Sequence, residues 1–359
     1  MTPPIRVLVV EDSLTVRRRL CEVLAGDPGL EVVGEAEDGK QAIDLCQRLR
    51  PDVVTMDMML PVMSGLSATE YIMAHCPTPI LVVSASTNRG ELFKTYEALA
   101  AGAIDVLEKP AGDDTDAAWE RHFVATVKLI ARIRVITHPR ARLSGLGHTR
   151  VGERVEPRTQ LPSPRRYEVV VIGASTGGPG AILEVLRGLR LPFPLPILFV
   201  LHIGEPFGRA FAEWLDGQTE FSVAYARDGE SVELRAGQVV MAPPESHLIV
   251  RDRRLRLTDA APRHSCRPSV DVLFESVARE YGPAVIAGLL TGMGRDGAAG
   301  LRAIRQSGGF TLAQDKATCV VYGMPREAVM LGAVERELPL PQIGPAISEL
   351  AAPRGRGTS

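Results

Sequence analysis

Five residues suited to phosphoryl chemistry stand at the ends of strand-like segments. Glu11 and Asp12 follow Arg6–Val10, Asp57 ends Asp52–Asp57, Ser84 ends Pro79–Ser84 and Lys109 follows Ile104–Glu108. If these strands run parallel, all five lie on the carboxyl edge of one sheet, where ligands of such folds bind. Three carboxylates converging there repel one another unless a hard cation sits among them, and all-oxygen ligation with retained waters is what Mg2+ prefers. Asp57 is the natural nucleophile, since an aspartate forms an acyl phosphate. Lys109 would supply a fixed positive charge and the Ser84 hydroxyl a donor to phosphoryl oxygens. For any one of these residues alone, a helix cap or a solvated loop acid is the plainer reading. Their coincidence at strand ends favours a site.

A second group lies in the other half of the chain. Gly173-Ala174-Ser175-Thr176-Gly177 is a G-x-S-x-G sequence between an apolar strand and a helix opened by Pro179, the context in which a sharp turn lifts a serine hydroxyl out of a sheet edge. The helix N-terminus would offer amides to a developing oxyanion. A nucleotide loop is the competing reading, but the glycines at 173, 177 and 178 do not fit G-x-G-x-x-G and no Lys-Ser/Thr pair follows. A serine needs a base from another strand end. His202 closes PILFVLH, with His247 and His264 as rivals, while His75, His122, His138 and His148 fall in the first domain's helices or the linker. Asp296, in LLTGMGRDGAAG, follows a third apolar strand, from which it could orient His202 through the distal ring nitrogen; a helix N-cap is its bland alternative. The chain order Ser, His, Asp matches neither the α/β-hydrolases nor the familiar proteases.

The elements that must position these residues are legible from periodicity. Up to about residue 136, Arg6–Val10, Glu31–Glu35, Asp52–Asp57, Pro79–Ser84 and Ile104–Glu108 read as strands. Apolar stripes with helical spacing separate them: Val16, Leu20, Val23 and Leu24; Ala42, Leu45, Cys46 and Leu49; Leu92, Tyr96 and Leu99; Trp119, Phe123, Val127 and Ile130. Alternating βα units imply a parallel, doubly wound sheet. Residues 137–166 carry seven arginines against Glu153 and Glu156, and four prolines break any period. This is a linker, read as a solvated spacer rather than a contact for nucleic acid or acidic lipid. From Tyr167 a second α/β alternation runs to about residue 352, and 353–359 reads as a frayed tail.

Composition narrows the classes. At 359 residues there is room for two cores. Lys+Arg 41 against Asp+Glu 43 gives a net charge of −2, without the basic excess of a general nucleic-acid binder. No apolar run approaches the roughly 18 residues of a membrane span, and no secretory signal is read at the N-terminus, so a cytoplasmic protein is expected. Five cysteines, odd in number and never spaced as CxxC, read as reduced thiols without a role.

The segments VVEDS, TMDMMLPVMSG, VVSAS and EKP resemble the receiver domain of bacterial two-component response regulators. The resemblance implies phosphorylation of Asp57 by a histidine kinase, and Mg2+ held by Asp12, Asp57 and the Met59 carbonyl with Glu11 assisting. It also implies a cis Lys109–Pro110 peptide. Receivers usually carry an aromatic residue where this chain has Val106. GASTGGP, the histidine of PILFVLH, APPESHL, RPSVDVLF, LLTGMGRDGA and CVVYGMPREAV resemble the catalytic domain of the CheB family of chemotaxis protein-glutamate methylesterases. That likeness implies attack of Ser175 on glutamyl γ-methyl esters of chemoreceptors, with His202 and Asp296 completing a triad. Deamidation of receptor glutamines is also implied, with the Met293 amide as oxyanion donor and Thr176 beside the nucleophile. The family typically reads Gln-His-Met-Pro where this chain has Leu201, His202, Ile203 and Gly204.

The expected fold is α/β, with two doubly wound parallel-sheet domains: a flavodoxin-like receiver at 1–136 and a Rossmann-like esterase domain at 167–352 that needs no cofactor. The unphosphorylated receiver is expected to obstruct the esterase cleft. The rival readings are a serine hydrolase of the same fold acting on another ester, and a non-catalytic signalling adaptor.

Overall fold

A computed structural model describes residues 3–85, 89–109, 116–133, 135, 167–204, 207–233 and 237–352. The chain divides into two compact units, Met1–Thr159 and Gln160–Ser359. The expected linker at 137–166, the tail at 353–359 and the Lys109–Pro110 peptide lie outside the described residues.

In the first unit, β1 (Ile5–Val10), β2 (Leu30–Ala36), β3 (Val53–Met56), β4 (Ile80–Ser84) and β5 (Asp105–Glu108) form an all-parallel sheet of order β2-β1-β3-β4-β5. Between and after them run α1 (Leu14–Ala25), α2 (Gly39–Leu49), α3 (Gly65–His75), α4 (Arg89–Ala100) and α5 (Asp116–Ile130). Every residue of β3 and β4 is buried, as continuous apolar strands covered by helices on both faces must be. On α1 the core-facing set is Leu20, Leu24 and the aliphatic stem of Arg17, while Val16 and Val23 are only half-buried. Arg17 takes that place because its guanidinium finds acceptors: the Glu11 carbonyl at 2.7 Å, Glu35 at 3.3 Å and Glu37 at 2.9 Å.

The second unit has a seven-stranded sheet of order β14-β13-β12-β6-β7-β9-β8, parallel throughout. Its strands are β6 (Val169–Ala174), β7 (Ile197–Leu201), β8 (Ser222–Tyr225), β9 (Gln238–Met241), β12 (Val285–Leu289), β13 (Phe310–Gln314) and β14 (Arg336–Leu338). Helices α6 (Gly178–Arg187), α7 (Phe207–Gln218), α8 (Val270–Tyr281), α9 (Ala298–Gln306), α10 (Met324–Met330) and α11 (Leu340–Ala351) accompany it. One feature departs from the doubly wound pattern: β10 (His247–Arg251) and β11 (Arg254–Thr258) pair antiparallel as a separate hairpin. Leu248, Val250 and Leu255 of this hairpin are buried in the same core as Leu273, Phe274 and Val277 of α8, so it extends the core on the helix side of the sheet. The order β12-β6-β7 brings the carboxyl ends of three strands side by side.

Candidate active site

Ser175 follows β6 and is fixed through its backbone. Its N–H donates to the Thr291 carbonyl at 3.0 Å, and its own carbonyl accepts from Gly178 N–H at 2.6 Å. Glycines permit this turn. Gly177 has φ +76, and a Cβ there would come within 2.5 Å of Val320; a Cβ on Gly292 would meet Ser175 Cβ at 2.7 Å and Met324 Sδ at 2.3 Å. The glycine at 292 therefore lets the loop after β12 close onto the serine. Thr176, in the turn after β6, is tied to that loop through its carbonyl, which accepts from Thr291 Oγ1 at 3.0 Å. Met293 is 60% exposed, and among the described residues its amide donates to no protein acceptor.

His202 directly follows β7, and its N–H donates to the Ala174 carbonyl at 3.0 Å, tying it to the residue before Ser175. Its Nε2 lies 2.9 Å from Asp296 Oδ2. Asp296 is buried and accepts three further hydrogen bonds: Ser269 Oγ at 2.7 Å, Val270 N–H at 2.7 Å and Asp271 N–H at 3.1 Å. The carboxylate thus caps the N-terminus of α8, a helix other than the one it precedes, while orienting the imidazole. Four donors on one carboxylate outweigh the cost of burying it and hold its pKa below the usual value. Burial works against a charged His202, but its hydrogen bonds with Asp296 and with Cys266 raise the imidazole to about 9.

The structure joins His202 to Asp296 but makes no hydrogen bond between Ser175 Oγ and the imidazole. The second ring nitrogen, Nδ1, instead faces Cys266 Sγ at 3.7 Å. Catalytic serine–histidine contacts are often loose in unliganded enzymes. The rival histidines are otherwise engaged. His247 is buried, its Nδ1 accepting from Ser269 N–H at 3.1 Å and its Nε2 facing the Ala261 carbonyl at 3.2 Å. His264 is exposed and pairs with Asp271 at 3.2 Å and with Arg295 Nε at 3.2 Å.

Sequence reasoning missed Ser269 and Cys266. Ser269 is the N-cap of α8, and the S-V-D spacing before an apolar helical run was the available signal. Cys266 carried none. A cleft lined by His264, Ser265, Cys266, Met293, Gly294, Arg295, Asp296 and Glu327 opens beside these groups.

In the first unit, Glu11 and Asp57 are buried at the strand ends, and Lys109 reaches both: its Nζ is 2.8 Å from Glu11 Oε2 and 3.1 Å from Asp57 Oδ2. Burial, reinforced by Asp57, raises the Glu11 carboxyl to about 7 despite Lys109. Burial also raises Asp57. For Lys109, burial opposes the charge but the two carboxylates more than offset it, so its pKa rises. The carboxylates of Glu11, Asp12 and Asp57 lie within 4.8 Å of one another. Ser84 Oγ is buried with no hydrogen-bond partner among the described residues, and a phosphoryl oxygen on Asp57 would supply one. Gly65 makes this geometry possible, since a Cβ there would sit 1.9 Å from the Asp57 carbonyl oxygen. Met59 is exposed beside the acids. Glu11, Asp12, Asp57 and Lys109 therefore converge, and Lys109 N–H donates to the Ser84 carbonyl at 3.0 Å.

The sequence of residues 170–347 matches the CheB methylesterase family, and residues 7–116 match the response regulator receiver domain. A protein-glutamate methylesterase/protein-glutamine glutaminase of Anaeromyxobacter dehalogenans is 47% identical over 97% of this chain and 97% of its own length. A protein of the same name from Nitrosospira multiformis is 44% identical over 98% of both. Among solved structures, the catalytic domain of Thermotoga maritima CheB methylesterase is 36% identical, covering 51% of this chain and 98% of that one, with a TM-score of 0.49.

Proposed function

The chain belongs to the CheB methylesterase family, with a response regulator receiver ahead of the esterase domain, and on that premise we propose that it hydrolyses glutamyl γ-methyl esters and glutamine amides of chemoreceptors under the control of Asp57 phosphorylation. The observation that carries the reading is the His202–Asp296 pair at 2.9 Å, seated one strand away from the Ser175 turn.

Because Nε2 is committed to Asp296, the nitrogen that serves Ser175 is Nδ1. Ser175 Oγ attacks the ester carbonyl carbon while its proton passes to Nδ1. The oxyanion that forms is met by the free Met293 amide. Collapse breaks the carbon–methoxy bond, and the leaving oxygen takes the proton from the imidazolium and departs as methanol. Water then repeats the sequence on the acyl-serine, giving glutamate and regenerating the hydroxyl. With a glutamine side chain the leaving group is ammonia. Asp296 stabilises the imidazolium throughout without taking its proton.

In the receiver, the bond from phosphorus to the donor histidine of a chemotaxis-type kinase breaks as the Asp57 oxygen bonds to phosphorus. Lys109 follows the phosphoryl oxygens and Ser84 Oγ donates to one of them. Glu11, Asp12, Asp57 and the Met59 carbonyl would hold Mg2+, which when bound neutralises the carboxylates facing the incoming anion. The domain limits we assign are 1–136, a linker at 137–166, 167–352 and a tail at 353–359. Among the described residues no helix is long and apolar enough to cross a membrane, in keeping with a cytoplasmic enzyme. Incubation of the purified protein with a methylated receptor fragment should release methanol, and should release much less when Ser175 is alanine. Equal release by the two proteins would remove Ser175 from the mechanism.

A further inference from the structure

We propose that the esterase domain carries an inhibitory site for zinc, in which the cation bridges Cys266 Sγ and His202 Nδ1 and thereby occupies the nitrogen that serves Ser175. Sulfur and imidazole nitrogen are the donors this borderline-soft cation favours, whereas Mg2+ takes oxygen. Tetrahedral zinc with ordinary Zn–N and Zn–S bonds sets the two ligand atoms about 3.5 Å apart. Here they are 3.7 Å apart, close to the separation of two ligands on one metal.

Both ligands are pre-positioned. Cys266 closes a two-residue turn in which Arg263 and Cys266 exchange backbone hydrogen bonds of 3.0 and 2.9 Å, with His264 and Ser265 at φ +52 and +63. His202 donates Nε2–H to Asp296, so loss of the imidazolium's second proton exposes a lone pair on Nδ1, and Asp296 is the kind of carboxylate that typically backs a metal-bound imidazole. Ligand atoms of His202, Cys266 and Asp296 lie within 4.8 Å of one another.

The surrounding charges permit a cation. Arg263 pairs with Glu275 at 2.8 Å and approaches Asp271 at 3.5 Å. Arg295 is turned to His264 through Nε. Glu327 faces the same cleft, which leaves room for water to complete the coordination shell. Binding releases the thiol proton and the Nδ1 proton of the imidazolium to solvent, and no oxidant or reductant takes part. The inhibitory role rests on the reading of His202 as the base; the metal site itself does not.

The test uses full-length protein freed of metal by chelator. Co2+ is titrated as a spectroscopic stand-in and then displaced by Zn2+, while methanol release is followed in the same samples. A thiolate-to-cobalt charge-transfer band at one equivalent per chain is expected. Zn2+ should lower hydrolysis more than tenfold, reversibly on adding chelator, whereas Mg2+ should not. Cys266→Ser should lose the band and need at least tenfold more Zn2+ for half-inhibition, measured against its own zinc-free rate. A wild-type protein without the band, or a Cys266→Ser variant that keeps it, would overturn the site. Binding without inhibition of an active enzyme would overturn the inhibitory role. A normal band on a protein that never releases methanol would uphold the site and sink the esterase reading instead.

Discussion

At the residue scale, Asp296 serves two structures at once, and substitutions around the base should separate them. Ser175→Ala and His202→Gln should each cut methanol release by roughly 10⁴-fold or more, with Asp296→Asn milder by one to two orders of magnitude, as expected for members of a unit that contribute unequally. The melting temperature should barely move for Ser175→Ala. Asp296→Asn should lower stability by about 1–3 kcal/mol, because Ser269 Oγ and two α8 amides lose a charged acceptor. An unchanged melting curve for Asp296→Asn would contradict that cap. The protonation of His202 predicts a pH profile. Asp296 and Cys266 hold the folded-state pKa at about 9, above the roughly 6.5 of a free imidazole. The stabilisation this proton brings is present below the unfolded value and is lost as pH rises through about 9. The neutral base grows over the same range, so kcat/KM should climb between pH 7 and 9. In Asp296→Asn the climb should move to lower pH. A wild-type profile already flat at pH 7 would count against His202 as the base.

At the element scale, the loop joining β3 to α3 determines how Asp57 is presented. Val62 is almost fully exposed and held at φ +60, with Met63 N–H bonded back to the Pro61 carbonyl at 2.6 Å. A β-branched residue in the left-handed region is strained by about 1–2 kcal/mol, and asparagine tolerates that conformation better. Val62→Asn should therefore stabilise the protein by about 1 kcal/mol in urea unfolding; a lower midpoint would argue against strain at this turn. Gly65→Ala should have the opposite effect. A Cβ at 1.9 Å from the Asp57 carbonyl oxygen forces the loop outward, so phosphoryl uptake from a small-molecule donor and stability should both fall, the latter by about 1–3 kcal/mol. In the second unit, the turn bearing Cys266 and the cap Ser269 lie between β11 and α8. Ser269→Ala should destabilise by about 1 kcal/mol through the lost cap and should slow hydrolysis by loosening Asp296. Full activity in that variant would mean that the backbone amides alone hold the carboxylate.

At the scale of the whole molecule, the reading of the receiver as a control device makes a comparison of rates decisive. Asp57 should accept phosphate from acetyl phosphate only with Mg2+ present, and chelation or Asp57→Asn should abolish uptake. A chain beginning at residue 167 should hydrolyse methyl ester faster than the unphosphorylated protein, with phosphorylation giving a smaller gain because Val106 replaces the usual aromatic residue. Equal turnover by all three would leave the receiver without a regulatory role. Much of this organisation was legible in the amino-acid order. Apolar runs with period 2 or 3.6 are local, so they located most strands, and the residue following each strand could be read directly as Glu11, Asp57, Lys109, Ser175 or His202. The β10–β11 hairpin was not read, because short antiparallel strands within an α/β alternation break the pattern without announcing a new one. Which strand ends meet is not a local property. The order β12-β6-β7 brings Asp296 against His202 across 94 positions of chain. Only that assembly decided that Nε2 faces the carboxylate, that Asp296 caps α8, and that an apparently idle thiol at Cys266 lies against His202.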